Sequence, residues 1–447
     1  MAGQRSRPRS KIARPAITHL RRTHKKKYTQ FPLIPDALKA LNRDAWLLFL
    51  TRFTRLFAYG LISVVLVFYL VGIGLSESQT GLLLTLTLIG DTAISLFLTT
   101  RADRVGRRRM LIIGALLMAA AGLVFAITRN FFWLVVAGTI GVISPSGNEV
   151  GPFLSIEQAA LSHIVSDRAR TEVFAWYTLT GSFATALGAL VGGTLSQALQ
   201  KTAMSPVSGY RAVVVLYGVL GVVLALLFTR VSRDAEVSPS EPGAASGFAR
   251  LFGIHKSRGV VAKLSALFAV DAFAGGFVVQ SFAAYWFYLR FGVNPATLGV
   301  IFFWANILSG ISALLASRLA ARFGLIRTMV LTHLPSNILL LLVPLMPNLR
   351  LAVLVLLARF SISQMDVPTR QSYTMAVVSP EERSAAAGIT GVARTTGAAI
   401  SPLFVGFLFA HPALINIPFY IAGALKILYD VVLYKEFVST KPPEEKA

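Results

Sequence analysis

Nine ionisable side chains lie deep inside long apolar runs: Arg52, Arg55, Asp91, Glu149, Glu157, Asp271, Asp366, Arg370 and Arg394. A charge at bilayer depth is tolerated only beside a partner or a polar cavity, so these residues are the first place to look for chemistry. Four are arginines and five are acids, a near balance that argues for pairing within one polar cavity and against a pore of single sign. The chemistry open to the set is proton uptake by a carboxylate, release of the arginine it held, and capture of an anionic or polar organic molecule by that arginine. No catalytic residue and no metal site is expected. No G-x-x-x-x-G-K-[ST] phosphate loop occurs, so the expected energy source is a proton gradient and no cofactor is expected.

Local sequence sharpens several positions. Glu149 follows the run SPSGNEVGP, where Pro145, Gly147 and Pro152 interrupt helical hydrogen bonding. Backbone groups freed at membrane depth must be satisfied again, usually beside a cavity, which makes Asn148 and Glu149 candidates to meet substrate or proton. Asp366 and Arg370 stand four apart around Pro368 and can equally form an internal salt bridge that only neutralises two buried charges. Asp91 either holds its helix against a neighbour or takes part in the pathway. Arg394 lies at the midplane of a helix otherwise made of small residues, with room for an anionic ligand. Arg359 is expected near the outer surface, where it can snorkel, and Lys426 and Asp430 are expected to pair along the last helix. Trp176, Tyr177, Tyr285 and Trp286 are expected at the membrane interfaces.

The elements that hold these residues are apolar segments near 45–70, 80–98, 110–127, 131–163, 171–196, 210–228, 261–289, 294–317, 326–345, 351–378, 385–410 and 415–433. Each is long enough to cross a bilayer as a helix. The 447 residues are 55% hydrophobic and 14% charged, with mean hydropathy +0.65, which excludes an ordinary soluble domain. The expected organisation is a basic tail over 1–43, a first six-helix bundle over 44–228, a polar linker over 229–260, a second bundle over 261–434 and a short tail over 435–447.

Ten of the Lys and Arg residues fall between Arg5 and Lys27 with no acid among them, and most others lie in alternate turns. The net charge of +23 is therefore a topology signal and not a nucleic-acid face. It places both termini in the cytoplasm, with a tail that touches anionic lipid. The first twenty residues lack the apolar core of a secretory signal, so the first span is expected to direct insertion. The absence of cysteine excludes disulfides and thiolate sites. The expected partners are the lipid bilayer, at the plasma membrane by default, and a small-molecule substrate, with the chain monomeric.

The two halves repeat each other. FYLVGIGLSESQTG, ending at Gly81, parallels FYLRFGVNPATLG, ending at Gly299, and EQAALSHIVSDRAR, ending at Arg170, parallels RQSYTMAVVSPEER, ending at Arg383. The offsets, 218 between residues 81 and 299 and 213 between 170 and 383, are close to half the chain, as two parallel six-helix repeats would leave. The second alignment sets Glu157 and Gln158 against Arg370 and Gln371, and the expectation is that these opposite charges face one another across a cavity. The first sets Arg52 against Asp271.

Between the second and third segments lies TTRADRVGRRR, from Thr99 to Arg109. It resembles the signature of the major facilitator superfamily, roughly G-x-L-A-D-R-x-G-R-R, with Ala102, Asp103, Arg104, Gly106, Arg107 and Arg108 in the matching places. Thr99 and Arg101 replace the first glycine and the leucine, and SRLAARFGLIR is a faded second copy, with Arg322 and Gly324 matching Arg104 and Gly106. Gly106 permits a tight turn, and the arginines hold it on the cytoplasmic side.

The resemblance implies an all-α membrane protein of twelve transmembrane helices in two pseudo-symmetric six-helix bundles. It also implies that Asp103 and Arg107 latch the halves through the N-terminus of the eleventh helix. GSFATALGALVGG, from Gly181 to Gly193, resembles the glycine-rich fifth helix of superfamily exporters, although close helix packing explains the glycines equally well. The expected function is alternating-access, proton-coupled export of a small polar or anionic organic solute. Proton-coupled uptake of an organic anion is the alternative, and a transporter-like receptor or lipid scramblase is the alternative of another class.

Overall fold

The computed structural model describes residues 38, 41–149, 151–165, 167–202, 204–232 and 256–440. Most of the basic tail and of the polar linker, and the end of the C-terminal tail, lie outside these residues, as do the side chains of Asp103, Arg104, Arg168 and Arg170. Among the described residues, ten helical segments are long and apolar enough to cross a membrane. The fourth and tenth expected spans are each two shorter helices.

The first half holds α1 (Arg43–Ser63), α2 (Leu66–Gly72), α3 (Glu77–Val105), α4 (Arg107–Ile127), α5 (Phe131–Ile140), α6 (Phe153–Ile164), α7 (Asp167–Lys201) and α8 (Pro206–Phe228). The second holds α9 (Arg258–Gly276), α10 (Gln280–Phe291), α11 (Pro295–Phe323), α12 (Leu325–Leu342), α13 (Leu349–Phe360), α14 (Asp366–Val377), α15 (Arg383–Phe409) and α16 (Ile417–Phe437). Each half therefore reads as six spans, of which the first and fourth are broken: α1/α2, α5/α6, α9/α10 and α13/α14. The first span of every three is the interrupted one.

Sequence punctuation marks three of these breaks. In the fourth span Gly147 (φ 70) and Gly151 (φ 80) adopt left-handed backbone, which glycine accepts without a side-chain clash. In the tenth, Pro368 follows the break between α13 and α14. It sits in the first turn of α14, where its missing N–H costs nothing, with Asp366 beside it at the helix's positive end. The break in the seventh span follows Gly275 and Gly276, which end α9, and the one in the first span carries only the β-branched pair Val64–Val65, whose stiff side chains weaken a helix only slightly.

Backbone and side-chain groups at these breaks find partners, several across the halves. Ser281 N donates to Pro145 O (3.1 Å), joining the seventh and fourth spans, and Gln280 Nε2 donates to Ser63 Oγ (2.7 Å) at the end of α1. Asn306 Nδ2 in turn donates to Gln280 Oε1 (3.0 Å), and Gln364 N to Ser312 Oγ (3.3 Å).

Two glycine crossings bring the halves closest. Gly81 on α3 lies against Pro402 and Gly406 on α15, where an added Cβ would come within 2.8 Å of the Gly406 Cα. Gly193 on α7 lies against Pro295 and Gly299 on α11, with the equivalent distance 2.9 Å. Gly81 and Gly299 are the residues that the internal repeat aligns, so one contact occurs twice by pseudo-symmetry. Both sit near the face bearing the turns at 73–76 and 292–294, and Tyr285 adds a hydrogen bond to Glu77 there (3.0 Å).

At the opposite face, Gly106 (φ 109) and Gly324 (φ 84) link α3 to α4 and α11 to α12. Each donates its N–H to a carbonyl four residues back, and each makes the tight turn that the signature and its faded copy call for. Arg107 is buried at this motif face, and Arg108 Nη2 donates to Thr229 O (2.5 Å). The Asp103 latch lies outside the described side chains.

Candidate functional site

Arg52 and Arg55 stand one helical turn apart on α1 and both turn toward the broken fourth span. Arg55 grips Glu157 of α6 with two parallel bonds, Nη1 to Oε1 at 2.8 Å and Nη2 to Oε2 at 2.7 Å, the bidentate geometry that suits guanidinium to carboxylate. Its Nε donates to Glu149 Oε1 (2.8 Å), and Arg52 Nη1 donates to Glu149 Oε2 (2.8 Å). Thr51 (2.8 Å) and the Tyr177 hydroxyl complete the donors to Glu157. Arg55, Glu157 and Tyr177 are fully buried, while the Glu149 side chain keeps 15% of its surface. Gly181 makes room for this cluster, since a Cβ there would fall 2.8 Å from Arg52 Nε. Asp91 is buried beside it, with Oδ2 accepting from Gly151 N (3.2 Å) and Oδ1 unpartnered.

The second half builds a different cluster from the same places. Asp271 on α9 accepts from Arg370 Nη1 (3.2 Å) and Lys426 Nζ (2.5 Å). Arg370 Nη1 also reaches Asp366 Oδ2 one turn back (2.9 Å). Behind them His333 Nδ1 lies 2.8 Å from Asp430 Oδ1, whose second oxygen accepts from Asn337 Nδ2 (2.8 Å). Arg394 on α15 and Arg359 at the end of α13 are within electrostatic reach of Asp271 and Asp366. Arg394 forms no salt bridge within 4.0 Å among the described residues.

Several sequence expectations change on this geometry. Glu157 and Arg370 do not pair across a cavity, because Arg55, Thr51 and Tyr177 take up Glu157 while Asp271 and Asp366 take up Arg370. Arg52 and Asp271 are likewise each paired within their own half. Asp366 and Arg370 do form the internal salt bridge. Lys426 and Asp430 are buried, and they turn to Asp271 and His333 instead of to each other. Arg359 is not at the outer surface; it ends the first half of the broken tenth span.

Tyr177, Tyr285 and Trp286 are buried hydrogen-bond donors; Tyr285, on Glu77, and Trp286, whose Nε1 donates to Asn416 Oδ1 (3.0 Å), stand beside turns at the ends of spans. Asn148 is exposed, and its backbone carbonyl takes the Ser144 hydroxyl (2.8 Å). Gln158 is half-buried and Gln371 exposed, and neither joins a cluster. The glycines of α7 pack: Gly188 and Gly192 lie on the backbone of α1 at Phe57 and Leu61, and Gly193 on α11.

Sequence reasoning passed over Thr51, Gly181, His333, Asn337 and the cluster role of Lys426 and Asp430. A signal was present in THLPSN, 332–337, where polar residues four apart interrupt an otherwise apolar run.

Counting formal charges, the first cluster sets two arginines against Glu149, Glu157 and Asp91. The second sets Arg359, Arg370, Arg394 and Lys426 against Asp271, Asp366 and Asp430, leaving His333 out of the count. One half carries a spare carboxylate and the other a spare arginine.

The pattern of the Major Facilitator Superfamily matches residues 48–362 and 266–447. An uncharacterized membrane protein of Saccharomyces cerevisiae, YJR124C, is 32% identical over 429 residues, covering 90% of this chain and 96% of its own. The quinolone resistance protein NorA of Staphylococcus aureus is 32% identical over 104 residues, 23% of this chain and 27% of its own. Among solved structures, a bacterial homologue of the human lysosomal transporter Spinster, inward-facing and occupied, superposes with a TM-score of 0.69 at 16% identity, over 89% of this chain and 97% of its own. The chain belongs to the Major Facilitator Superfamily of membrane transporters.

Proposed function

We propose that the chain moves a small organic anion across a membrane by alternating access, driven by a proton gradient. The observation that carries this reading is Arg394, a half-buried arginine near mid-span whose charge no carboxylate among the described residues answers at salt-bridge distance. A buried cation of this kind is costly unless an anion visits it. Arg370, by contrast, is held on two sides and acts as scaffold. Broken spans meeting between the halves support a site there, because irregular backbone at membrane depth belongs beside a cavity.

The basic turns support a cytoplasmic motif face, and the plasma membrane is the proposed location. The glycine contacts at the other face support a state closed on the outside. Export is favoured by the partial likeness to NorA, a quinolone resistance protein. Uptake together with a proton is favoured by the spare positive charge of the second half.

The test is a tolerance panel of toxic organic anions on cells overproducing the chain or its Arg394→Ala variant, with and without a protonophore. Protection that needs both Arg394 and the gradient identifies export, and heightened sensitivity with the same needs identifies uptake. No response to any anion, while ligand binding persists, would turn the assignment to a receptor.

A further inference from the structure

We propose that His333 takes up the coupling proton on Nε2, between Asp430 and Asp271. This deepens the transport reading above and rests on it for the proton's role.

The ring is fixed on both sides. His333 stands on α12 two residues before Pro335, wedged against α16 and α9, and 4% of its surface is accessible. Nδ1 lies 2.8 Å from Asp430 Oδ1 and 3.1 Å from Asn337 Nδ2; with the carboxylate ionised, the shorter contact is the one in which Nδ1–H donates, and this places the hydrogen of the neutral ring on Nδ1. Asn337 Nδ2 secures the other oxygen of Asp430 (2.8 Å), and Tyr429 abuts the ring edge to face at 5.9 Å. The bare nitrogen that remains, Nε2, lies 3.9 Å from Asp271 Oδ1. A lone pair is thus aimed at a carboxylate.

The charged groups around the ring decide where a proton adds. From α16 come Asp430, Lys426 and Tyr429, and from α9 comes Asp271. From α14 come Arg370 and Asp366, both linked to Asp271, while Arg359 of α13 and Arg394 of α15 act on the same two aspartates. The charges of α11, Arg318 and Arg322, stand in its last two turns at the motif face.

Protonating Asp271 would weaken its bonds to Lys426 and Arg370, protonating Asp366 would release Arg370, and protonating Asp430 would release His333 and Asn337. A proton on Nε2 breaks none of these. It turns an acceptor facing a carboxylate into a donor facing it, and imidazole is the side chain that ordinarily gains a proton near neutral pH.

The added charge raises the positive surplus of this half from one to two. A proton at His333 and an anion at Arg394 then stabilise each other, so the two travel together. In the tolerance panel that corresponds to the uptake outcome.

The experiment uses the full chain in liposomes on a solid-supported membrane, with no organic solute present and a pH step from about 8 to about 5. Charge moving onto buried sites gives a transient current. The wild-type protein is expected to show it, and His333→Gln to fall to the level of protein-free liposomes. Should His333→Gln fail to fold, judged by its thermal unfolding, Asp271→Asn and Asp430→Asn each remove one carboxylate beside the ring and are expected to cut the transient severalfold. A transient that survives in folded His333→Gln, or in both aspartate variants, overturns the proposal, as does its absence from the wild type. The step reads proton binding alone, so a normal transient beside an unresponsive tolerance panel removes the transport reading and leaves the proton site standing.

Discussion

In the first half the arginine stands on the first span and its carboxylate on the fourth; in the second half the carboxylate stands on the seventh span and the arginine on the tenth. The pairs Arg55–Glu157 and Asp271–Arg370 thus occupy equivalent helices with their signs exchanged. Duplication preserved the place of a buried ion pair, where any other arrangement strands a charge in the bilayer. It did not preserve the sign. The two pairs also differ in closure. Arg55 meets Glu157 with two parallel bonds and donates its Nε to Glu149, so both oxygens of Glu157 and of Glu149 have a donor, while Arg52 Nε and Asp91 Oδ1 stay unpartnered. Asp271 is shared by Arg370, Lys426 and a more distant His333, so losing one partner leaves others.

That contrast gives an order of effects. Arg55→Met strands Glu157 with no surface to water and is expected to cost about 3–5 kcal/mol of stability, read as the drop in thermal unfolding midpoint in detergent. A midpoint within a degree of wild type would mean that Glu157 does not depend on Arg55. Lys426→Met removes one of several cations around Asp271 and is expected to cost about 1–3 kcal/mol, clearly less than Arg55→Met in the same assay. If the two losses are equal, the second cluster is not redundant.

Gly181→Ala pushes its methyl group into the Arg52 guanidinium and disturbs the half-open Arg52–Glu149 pair, for about 1–2 kcal/mol. Arg52→Ala in the same background should then add less than it does alone. The smallest effect on stability belongs to Arg394→Gln, within about 0.5 kcal/mol of wild type, with solute movement lost. A large destabilisation there would mean that Arg394 is a scaffold residue like Arg370.

Much of this was readable in the chain. The deep charges stood out because an ionisable residue in an apolar run is expensive, and the Arg–Glu and Asp–Arg pairs are drawn from that set. Their pairing was misjudged for a geometric reason: residues related by a pseudo-twofold are equally far from the axis in separate halves, and each is closer to the neighbouring span of its own half. Sequence offsets report equivalence and carry no distance. Lys426 and Asp430 misled in the same way, since a spacing of four puts two side chains on one face without saying that the face meets another carboxylate and a histidine. The break at Val64–Val65 gave no glycine or proline to read, while the one at Val278–Val279 follows Gly275 and Gly276, and beyond it Ser281 and Gln280 bond to Pro145 and Ser63, remote in sequence. The Gly106 and Gly324 turns were legible because their backbone angles leave almost no other residue.

The paired glycine crossings have a mechanical consequence. Two contacts on one face define a line, and bodies that touch along a line turn about it. In the alternating-access cycle proposed above, Gly81 and Gly193, which supply no side chains to interlock, would place the pivot on this line. The arm is long: from Gly81 to Gly106 is 25 residues, about 37 Å along α3. A tilt of about ten degrees about that line would carry the arginine-rich turn by about 6 Å, roughly one helical pitch, while the crossings themselves hardly shift. The fold turns small changes near the pivot into large openings at the rim.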